Sequence, residues 1–503
     1  VPIKLPSQLP SQLSGELPGE LSTRREILKA AAAVGAVALA SDVLAQTAAP
    51  VVPASKPSRL VGIQIGAMPL SGDTDKLLDT LSTVGGINAL FIFAFGHEAR
   101  FVPVPAQGFR GGNYSIPHMQ YYNGSGLAFD DMRAPELPKL DLLDVAMKAT
   151  QKHGFKTYAL IEESEGQPPT APWSAFYELD FHGRRQRAAC SNNPGYRAFM
   201  LGLVEDYTRS YNVDGFMWSS ERQGGFTNAI GARHGGAGTD PGRSTCFCEY
   251  CTKKGAAQGI DVDRAKKGFT ELEAFVRAGR ANKRPRDGYF VSLMRLMLNY
   301  PELLQWEAFW INSRKSLMLD IRNRVKSISP STPVGFHVWH NASFSPFYRA
   351  EIDFADMAKN ADFIKPVVYN GCAGSRIVSY ANSVGQTIWG DMKPAEILQM
   401  TYEMFDYKEQ PYDKVSATGF STDYIAREVK RTLDDVAGTH VPVYAGLDID
   451  IPGSTYTADS VKQAVLSAFN AGAQGVIFAR NWGEMNPDHV AGVGAAMREL
   501  AKG

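Results

Sequence analysis

The sequence predicts a (β/α)8 TIM barrel with long loops on its C-terminal face. Three observations point there: apolar runs alternate with helix-period segments from Arg59 onward, eight such runs occur, and the long insertions follow their C-terminal ends. Alternation of this kind builds a parallel sheet, because each parallel pair needs a crossover connection.

The predicted strands are residues 60–67, 88–95, 156–163, 214–221, 333–340, 362–370, 441–450 and 475–481. Between them, apolar residues three or four apart predict helices at 75–84, 140–153, 195–210, 301–328 and 457–471. Insertions at 97–138, 164–194, 222–300 and 371–440 gather on the face where a barrel binds its substrate. They carry Tyr114, Tyr121, Tyr122, Trp173, Phe176, Tyr177 and Trp389, aromatics suited to stacking on sugar rings.

The first 22 residues are rich in Pro, Leu and Ser without periodicity, and are expected to be disordered. Thr23-Arg24-Arg25-Glu26-Ile27-Leu28-Lys29 then precedes an alanine-rich apolar run to Ala40 and Val43-Leu44-Ala45. This reads as a bacterial twin-arginine export signal, cut after Ala45, with the export machinery as a partner and a periplasmic or secreted destination. The apolar run is too short to be a stable membrane anchor. Residues 46–57 read as a linker and 58–503 as one barrel domain.

A hydrophobic fraction of 44% and a formal net charge of zero fit a globular enzyme, and argue against nucleic acid as the main partner. No haem, iron–sulfur or dinucleotide motif is present, so no organic cofactor is expected.

The predicted fourth strand ends in Ser219, Ser220, Glu221 and Arg222. Counting by two puts Gly215, Met217, Ser219 and Glu221 on one face and Phe216 and Trp218 on the other. With the aromatic face against the helices, Glu221 points into the barrel mouth, although a simple ion pair with an arginine is the alternative. Downstream, Cys246, Cys248 and Cys251 form C-x-C-x-x-C, with Cys190 upstream and Cys372 left over. Four thiolates at this spacing suit a tetrahedral zinc site, and disulfide or free cysteines are the alternatives.

The order of Cys190, Ser191 to Arg197, a helix, a strand ending in Glu221 and then the cysteine motif resembles glycoside hydrolase family 42, the β-galactosidase family. The resemblance covers about 60 residues well. It implies a zinc role for Cys190, Cys246, Cys248 and Cys251, and a general acid/base role for Glu221. Two departures imply a related family of different specificity. Ser220 stands where the family has asparagine, and the seventh strand offers aspartates where the family has its nucleophilic glutamate.

On that strand Tyr444, Gly446, Asp448 and Asp450 share the inward face by alternation. Glycoside hydrolysis needs two carboxyl groups flanking the bond, so Glu221 is paired with Asp448, or with Asp450 nearer the rim. Polar groups at other strand ends supply candidate substrate contacts: Glu163, with Glu162 and Glu165 beside it, and His337, Trp339, His340 and Asn341. Lys365, Tyr369 and Asn370 follow on the sixth strand, and Arg480, Asn481, Trp482 and Glu484 on the eighth. Trp218 completes the substrate-binding set. The expectation is an exported glycoside hydrolase acting on an oligosaccharide or glycoside, with structural zinc bracing the loop that carries Glu221. Its rivals are a non-catalytic carbohydrate-binding barrel and a metal-dependent hydrolase using His337 and His340.

Overall fold

A computed structural model describes residues 59–70, 74–96, 112–113, 115–132, 141–163, 171–451 and 456–502. The export signal, the linker, Tyr114 and Glu165 lie outside them. Eight strands form the barrel: β1 (Leu60–Gly66), β2 (Ala89–Gly96), β3 (Lys156–Glu162), β4 (Gly215–Ser219), β5 (Val334–Val338), β6 (Phe363–Pro366), β7 (Tyr444–Asp448) and β8 (Gly475–Ala479). Each pairs in parallel with the next, and β8 returns to β1 through Leu60↔Gly475 to Ile63↔Phe478. The β6–β7 seam is the loosest, held by bridges at Ile364↔Val443 and Val367↔Gly446.

The strands are shorter than predicted. Runs expected to reach Glu221, His340, Asn370 and Asp450 end at Ser219, Val338, Pro366 and Asp448. The polar residues beyond those ends belong to loops, so period-two counting stops applying to them.

Helices follow each strand outside: α1 (Asp75–Asp79, continued by a π turn Thr80–Val84), α2 (Leu142–Lys152), α3 (Pro194–Ser210), α4 (Glu302–Ile328), α5 (Phe354–Ala358), α6 (Thr422–Asp435), α7 (Ala458–Asn470) and α8 (Pro487–Leu500). Their starts are legible locally. Asp141 caps α2 by accepting from Asp144 N, Asn193 caps α3 with Pro194 as its first residue, and Thr457 caps α7. The insertion at 222–300 is itself helical, with segments Glu249–Ala257, Val262–Arg280 and Tyr289–Asn299.

Inside the barrel the inward residues change character with height. The lower layer is apolar: Leu60, Phe91, Tyr158, Met217, Phe363 and Ile477 are buried together. Phe91 stacks on Tyr158 at 4.5 Å and meets Phe363 edge-on at 6.3 Å. Gly335 makes room for this packing, since a Cβ there would lie 2.2 Å from the Phe363 ring. Above it the inward positions turn polar with Gln64, Glu162, Ser219, His337, Lys365 and Asp448, all buried. A floor of rings under a ceiling of polar groups sets the depth of the site.

Most of the loop aromatics pack into the structure instead of facing a ligand. Trp173 is fully buried against Phe199 at 4.9 Å, Tyr122 lies 5.9 Å from Phe199, Phe176 and Tyr177 are buried, and Trp389 stacks on Phe290 at 4.9 Å. Loop segments this long need their own small cores, and these rings supply them.

Phe91→Ala removes the central ring of the lower layer. It is expected to cost about 3–5 kcal/mol of stability, measured by denaturant unfolding.

Candidate active site

Glu221 lies two residues beyond the end of β4, with its side chain one-third exposed at the barrel mouth. His337 Nε2 sits 3.2 Å from Glu221 Oε1, and Lys365 Nζ sits 3.2 Å from His337 Nδ1. A protonated lysine has only N–H groups to give, so Nδ1 accepts and Nε2 donates to Glu221. The result is a directed chain, Lys365 to His337 to Glu221.

Lys365 is fully buried, and Gln64 Oε1 and Tyr369 OH each lie 3.4 Å from Nζ. Gly446 leaves space for its stem, since a Cβ there would meet Lys365 Cε at 2.9 Å. Burial lowers the ammonium to about 7, against the opposing pull of Glu221 and Glu162. Burial likewise lowers His337 to about 4, so at neutral pH the imidazole is uncharged. For Glu221 burial pushes upward, but the His337 hydrogen bond and the Arg376 guanidinium help to outweigh it and hold the carboxyl at about 2. Glu221 is therefore an anion in the resting protein.

Asp448 is buried at the end of β7 and plays a different part. It accepts from Gly371 N at 3.4 Å, Cys372 N at 3.1 Å and Tyr456 OH, capping the helix Asn370–Val384, whose own N-cap, Tyr369, offers no side-chain acceptor. Burial raises its pKa, opposed by Tyr456, the two N–H donors and Arg376. Arg376 acts electrostatically on both Glu221 and Asp448. Asp450 lies past the strand in the left-handed region at φ 56, where alternation does not hold. Its oxygens take Asn486 N and His489 Nδ1, each at 2.7 Å, anchoring the start of α8.

The other sequence candidates divide. Tyr369 borders the chain, with Lys365 over its ring at 5.6 Å. Arg480 holds Glu484 by two hydrogen bonds of 2.8 and 2.6 Å and feels the charge of Glu221. Asn481 ties the ends of β8 and β1 by accepting from Gly66 N at 3.0 Å, and the half-buried Trp482 packs against the core. Asn370 donates to Phe420 O at 3.2 Å. His340 is fully buried, with Nδ1 accepting from Arg376 at 2.9 Å and Nε2 donating to Tyr424 OH at 3.1 Å. Trp339 is buried beside His234 and Tyr348.

Glu163 and Trp218 face away from the mouth. Glu163 is buried behind β3, accepting from Tyr196 OH at 3.0 Å and lying 3.5 Å from Arg222; Glu162 is the one that influences Lys365. Trp218 and Ser220 line a cavity of about 90 Å³ between β4, β5 and the helices α4 and α5. Trp218 Nε1 and Ser220 Oγ have no hydrogen-bond partner there. The Ser220 side chain thus points away from the mouth that Glu221 enters.

Sequence reasoning passed over Arg376, His234 and Gln64. His234 and Arg376 come from insertions with no motif to flag them, and Gln64 sits inside an otherwise apolar strand, the one signal that could have found it. Burial lowers His234 to about 3, and its Nδ1 is buried without a hydrogen-bond partner.

The four cysteines converge. The Sγ atoms of Cys190, Cys246, Cys248 and Cys251 all lie within 4.8 Å of one another, Cys190 being 3.5 Å from Cys248 and 3.4 Å from Cys251. These separations exceed a disulfide bond and approach the roughly 3.8 Å edge of a tetrahedral zinc–thiolate site. Asn192 donates its backbone N–H to Cys190 Sγ at 3.4 Å and its side-chain amide to Cys251 Sγ at 3.3 Å, as thiolate ligands require. The cluster therefore fits a metal. Among the described residues it is the one group of three or more such side chains that could share an ion, and His337 and His340 are not in it.

The cluster is tied to Glu221 through Arg222. Arg222 donates to Ala189 O at 3.0 Å, next to Cys190, and pairs with Glu178 at 2.7 Å; Glu178 accepts from Thr245 Oγ1 at 2.7 Å, next to Cys246. The segments that carry the cysteines thus fix the residue after Glu221 from two sides.

No family model matches the chain, and no curated protein matches it. Among solved structures it is similar to α-L-fucosidase isoenzyme 2 from Paenibacillus thiaminolyticus, at 14% identity and TM-score 0.45, covering 88% of this chain and 49% of that one. It is similar to the PgaB (BpsB) glycoside hydrolase domain from Bordetella bronchiseptica, at 13% and 0.48, covering 88% and 97%. A β-galactosidase from the psychrophilic Marinomonas ef1 gives 11% and 0.47, covering 88% and 60%. The chain thus spans about half the length of the fucosidase and three fifths of the galactosidase. These neighbours are glycoside hydrolases, and likeness at this level bears on neither substrate nor residues.

Cys248→Ser, or chelator treatment of metal-loaded protein, is expected to speed hydrogen exchange in residues 177–190 and 222–257 while the barrel strands stay protected. Mass-spectrometric exchange reads the difference.

Proposed function

We propose that the protein is an exported glycoside hydrolase whose reaction centre is Glu221. The observation that carries this reading is the chain from Lys365 through His337 to a half-open carboxylate at the barrel mouth. A buried lysine and a neutral histidine aligned on one rim carboxylate form a route for protons into the place where a barrel binds its substrate.

The ionised Glu221 is in the state required of a nucleophile or general base. Its acid role needs a proton, and the chain can supply one. Lys365 gives a proton to His337 Nδ1 as His337 Nε2–H passes its own to Glu221, which then protonates the departing glycosidic oxygen. Asp448 is the second carboxyl, raised by burial, and feels the charge of Arg376 as Glu221 does. Environments that push two carboxyls apart in pKa support an acid/base division between them. Arg376 would bind sugar hydroxyls, and zinc at the four cysteines would be structural, holding Arg222 and hence Glu221 in place. The twin-arginine pattern supports a periplasmic or secreted location.

Glu221→Gln keeps the shape and removes the charge. Its kcat on aryl glycosides or oligosaccharides is expected to fall about 10²–10⁴-fold with folding intact. No turnover by the parent protein across such a screen, with sugar binding retained, would leave a binding barrel instead.

A pH dependence follows from the chain. Lys365 holds the transferable proton below about 7 and loses it above, so kcat/KM is expected to fall as pH rises through about 7. Lys365→Met is expected to abolish that limb along with most of the activity, and a parent profile flat through neutrality would remove Lys365 from the reaction.

A further inference from the structure

The cavity behind Glu221 carries polar groups that take no part in the chain from Lys365 to the barrel mouth. Ile311, Met318, Phe336, Val338, Ile352 and Met357 wall it, and Trp218 and Ser220 line it from the β4 side. Those two are 2% and 4% exposed, and Trp218 Nε1 and Ser220 Oγ have no hydrogen-bond partner. Arg314, on α4, lines the same cavity and adds a third such atom, its buried Nε. An indole N–H and a guanidinium N–H only donate, and a hydroxyl also donates, so the three call for an acceptor. A ligand oxygen that meets them recovers hydrogen bonds that burial otherwise forfeits.

The charges around the cavity balance. Arg314 and Lys315 stand against Asp353 and Asp356, with Lys315 and Asp356 paired at 3.3 Å. Burial and the Glu307 charge favour the neutral form of the Glu351 carboxyl, and burial keeps His337 neutral. Apolar walls penalise an unpaired ion, so this lining suits an uncharged molecule. A volume of about 90 Å³ limits its apolar body to about one six-membered ring.

The cavity also bears on the reaction centre. His337 lines it and meets Glu221 at 3.2 Å, and Ser220 directly precedes Glu221. Arg314 donates Nη1 to Arg222 O at 3.0 Å and Nη2 to Ser220 O at 3.3 Å, the carbonyls on either side of Glu221. A molecule seated on Arg314 and Ser220 therefore acts on the backbone that holds the Glu221 carboxylate.

We propose that this cavity is an effector site for a small uncharged molecule with a ring-sized apolar body and one carbonyl oxygen. The site is separate from the barrel mouth and stands whatever bond Glu221 cleaves. Ligand-observed NMR titration of the full protein compares cyclohexanone with methylenecyclohexane, which has the same shape and no oxygen, and with cyclohexanecarboxylate. Cyclohexanone is expected to bind saturably, about tenfold or more tightly than the carboxylate. Ser220→Ala and Trp218→Phe are each expected to weaken cyclohexanone by about threefold to tenfold without weakening methylenecyclohexane, because only the ketone uses the lost donor. Ile352→Trp, chosen to fill the cavity, is expected to abolish binding of both. Hydrogen exchange of residues 219–223 is expected to slow when cyclohexanone saturates the parent protein.

No saturation, binding that survives Ile352→Trp, or equal losses of ketone and hydrocarbon in the donor variants overturns the proposal. If the variants do not fold, a crystal structure of the parent protein grown with cyclohexanone decides it, since a ring bound outside the cavity overturns the site. Binding in the cavity with unchanged exchange at 219–223 overturns the effector role.

Discussion

The burial of the Lys365 ammonium inside the barrel is the interaction on which the site depends. A charged amine taken out of water is costly unless protein groups replace its hydration. Gln64, His337 and Tyr369 do so by contact, and Glu162 and Glu221 by charge. Satisfying the lysine fixes the His337 tautomer, and the tautomer aims an N–H at Glu221. The apolar rings below set how high the lysine sits, and Gly446 gives its stem a passage. One desolvated cation thus orders residues from five strands, β1, β3, β5, β6 and β7, and Glu221 in the loop after a sixth, β4.

A second device holds the rim. Glu221 stands beyond the strand, where no ladder hydrogen bonds constrain it, so its position depends on the residue that follows. Arg222 is nearly fully buried and joined to the hairpin and to the cysteine-bearing segment. Breaking one partner of a buried charge pair leaves the other uncompensated, so this network resists rearrangement. The cysteine cluster closes the same loops, which accounts for a cysteine motif lying so close in sequence to a barrel-mouth carboxylate.

Much of the fold was legible because its signals are periodic. Buried parallel strands read as apolar runs, and the helices outside carry an apolar stripe with capping residues such as Asp141 and Thr457 at their starts. The cysteines were legible because metal ligands need tight local spacing. The site was legible only in part. Glu221 and His337 were found as strand-end polar groups, yet Glu162 and Glu163 looked interchangeable until the strand showed which one faces inward. Asp448 and Asp450 looked alike as well; the first is buried and caps the helix Asn370–Val384, and the second leaves the strand with a left-handed backbone. The loop aromatics had the composition of sugar platforms and are instead core residues of their own insertions.

By itself the sequence determined the eight-fold alternation and the clustered cysteine motif, since each rests on local spacing. Only the tertiary structure decided that Lys365 reaches His337 and that Arg376 reaches His340. Those contacts join residues far apart along the chain, and they depend on where each strand ends and how each insertion folds back. Charges brought together that way leave no periodic mark in the sequence, because distance in space, and not spacing along the chain, sets their energy.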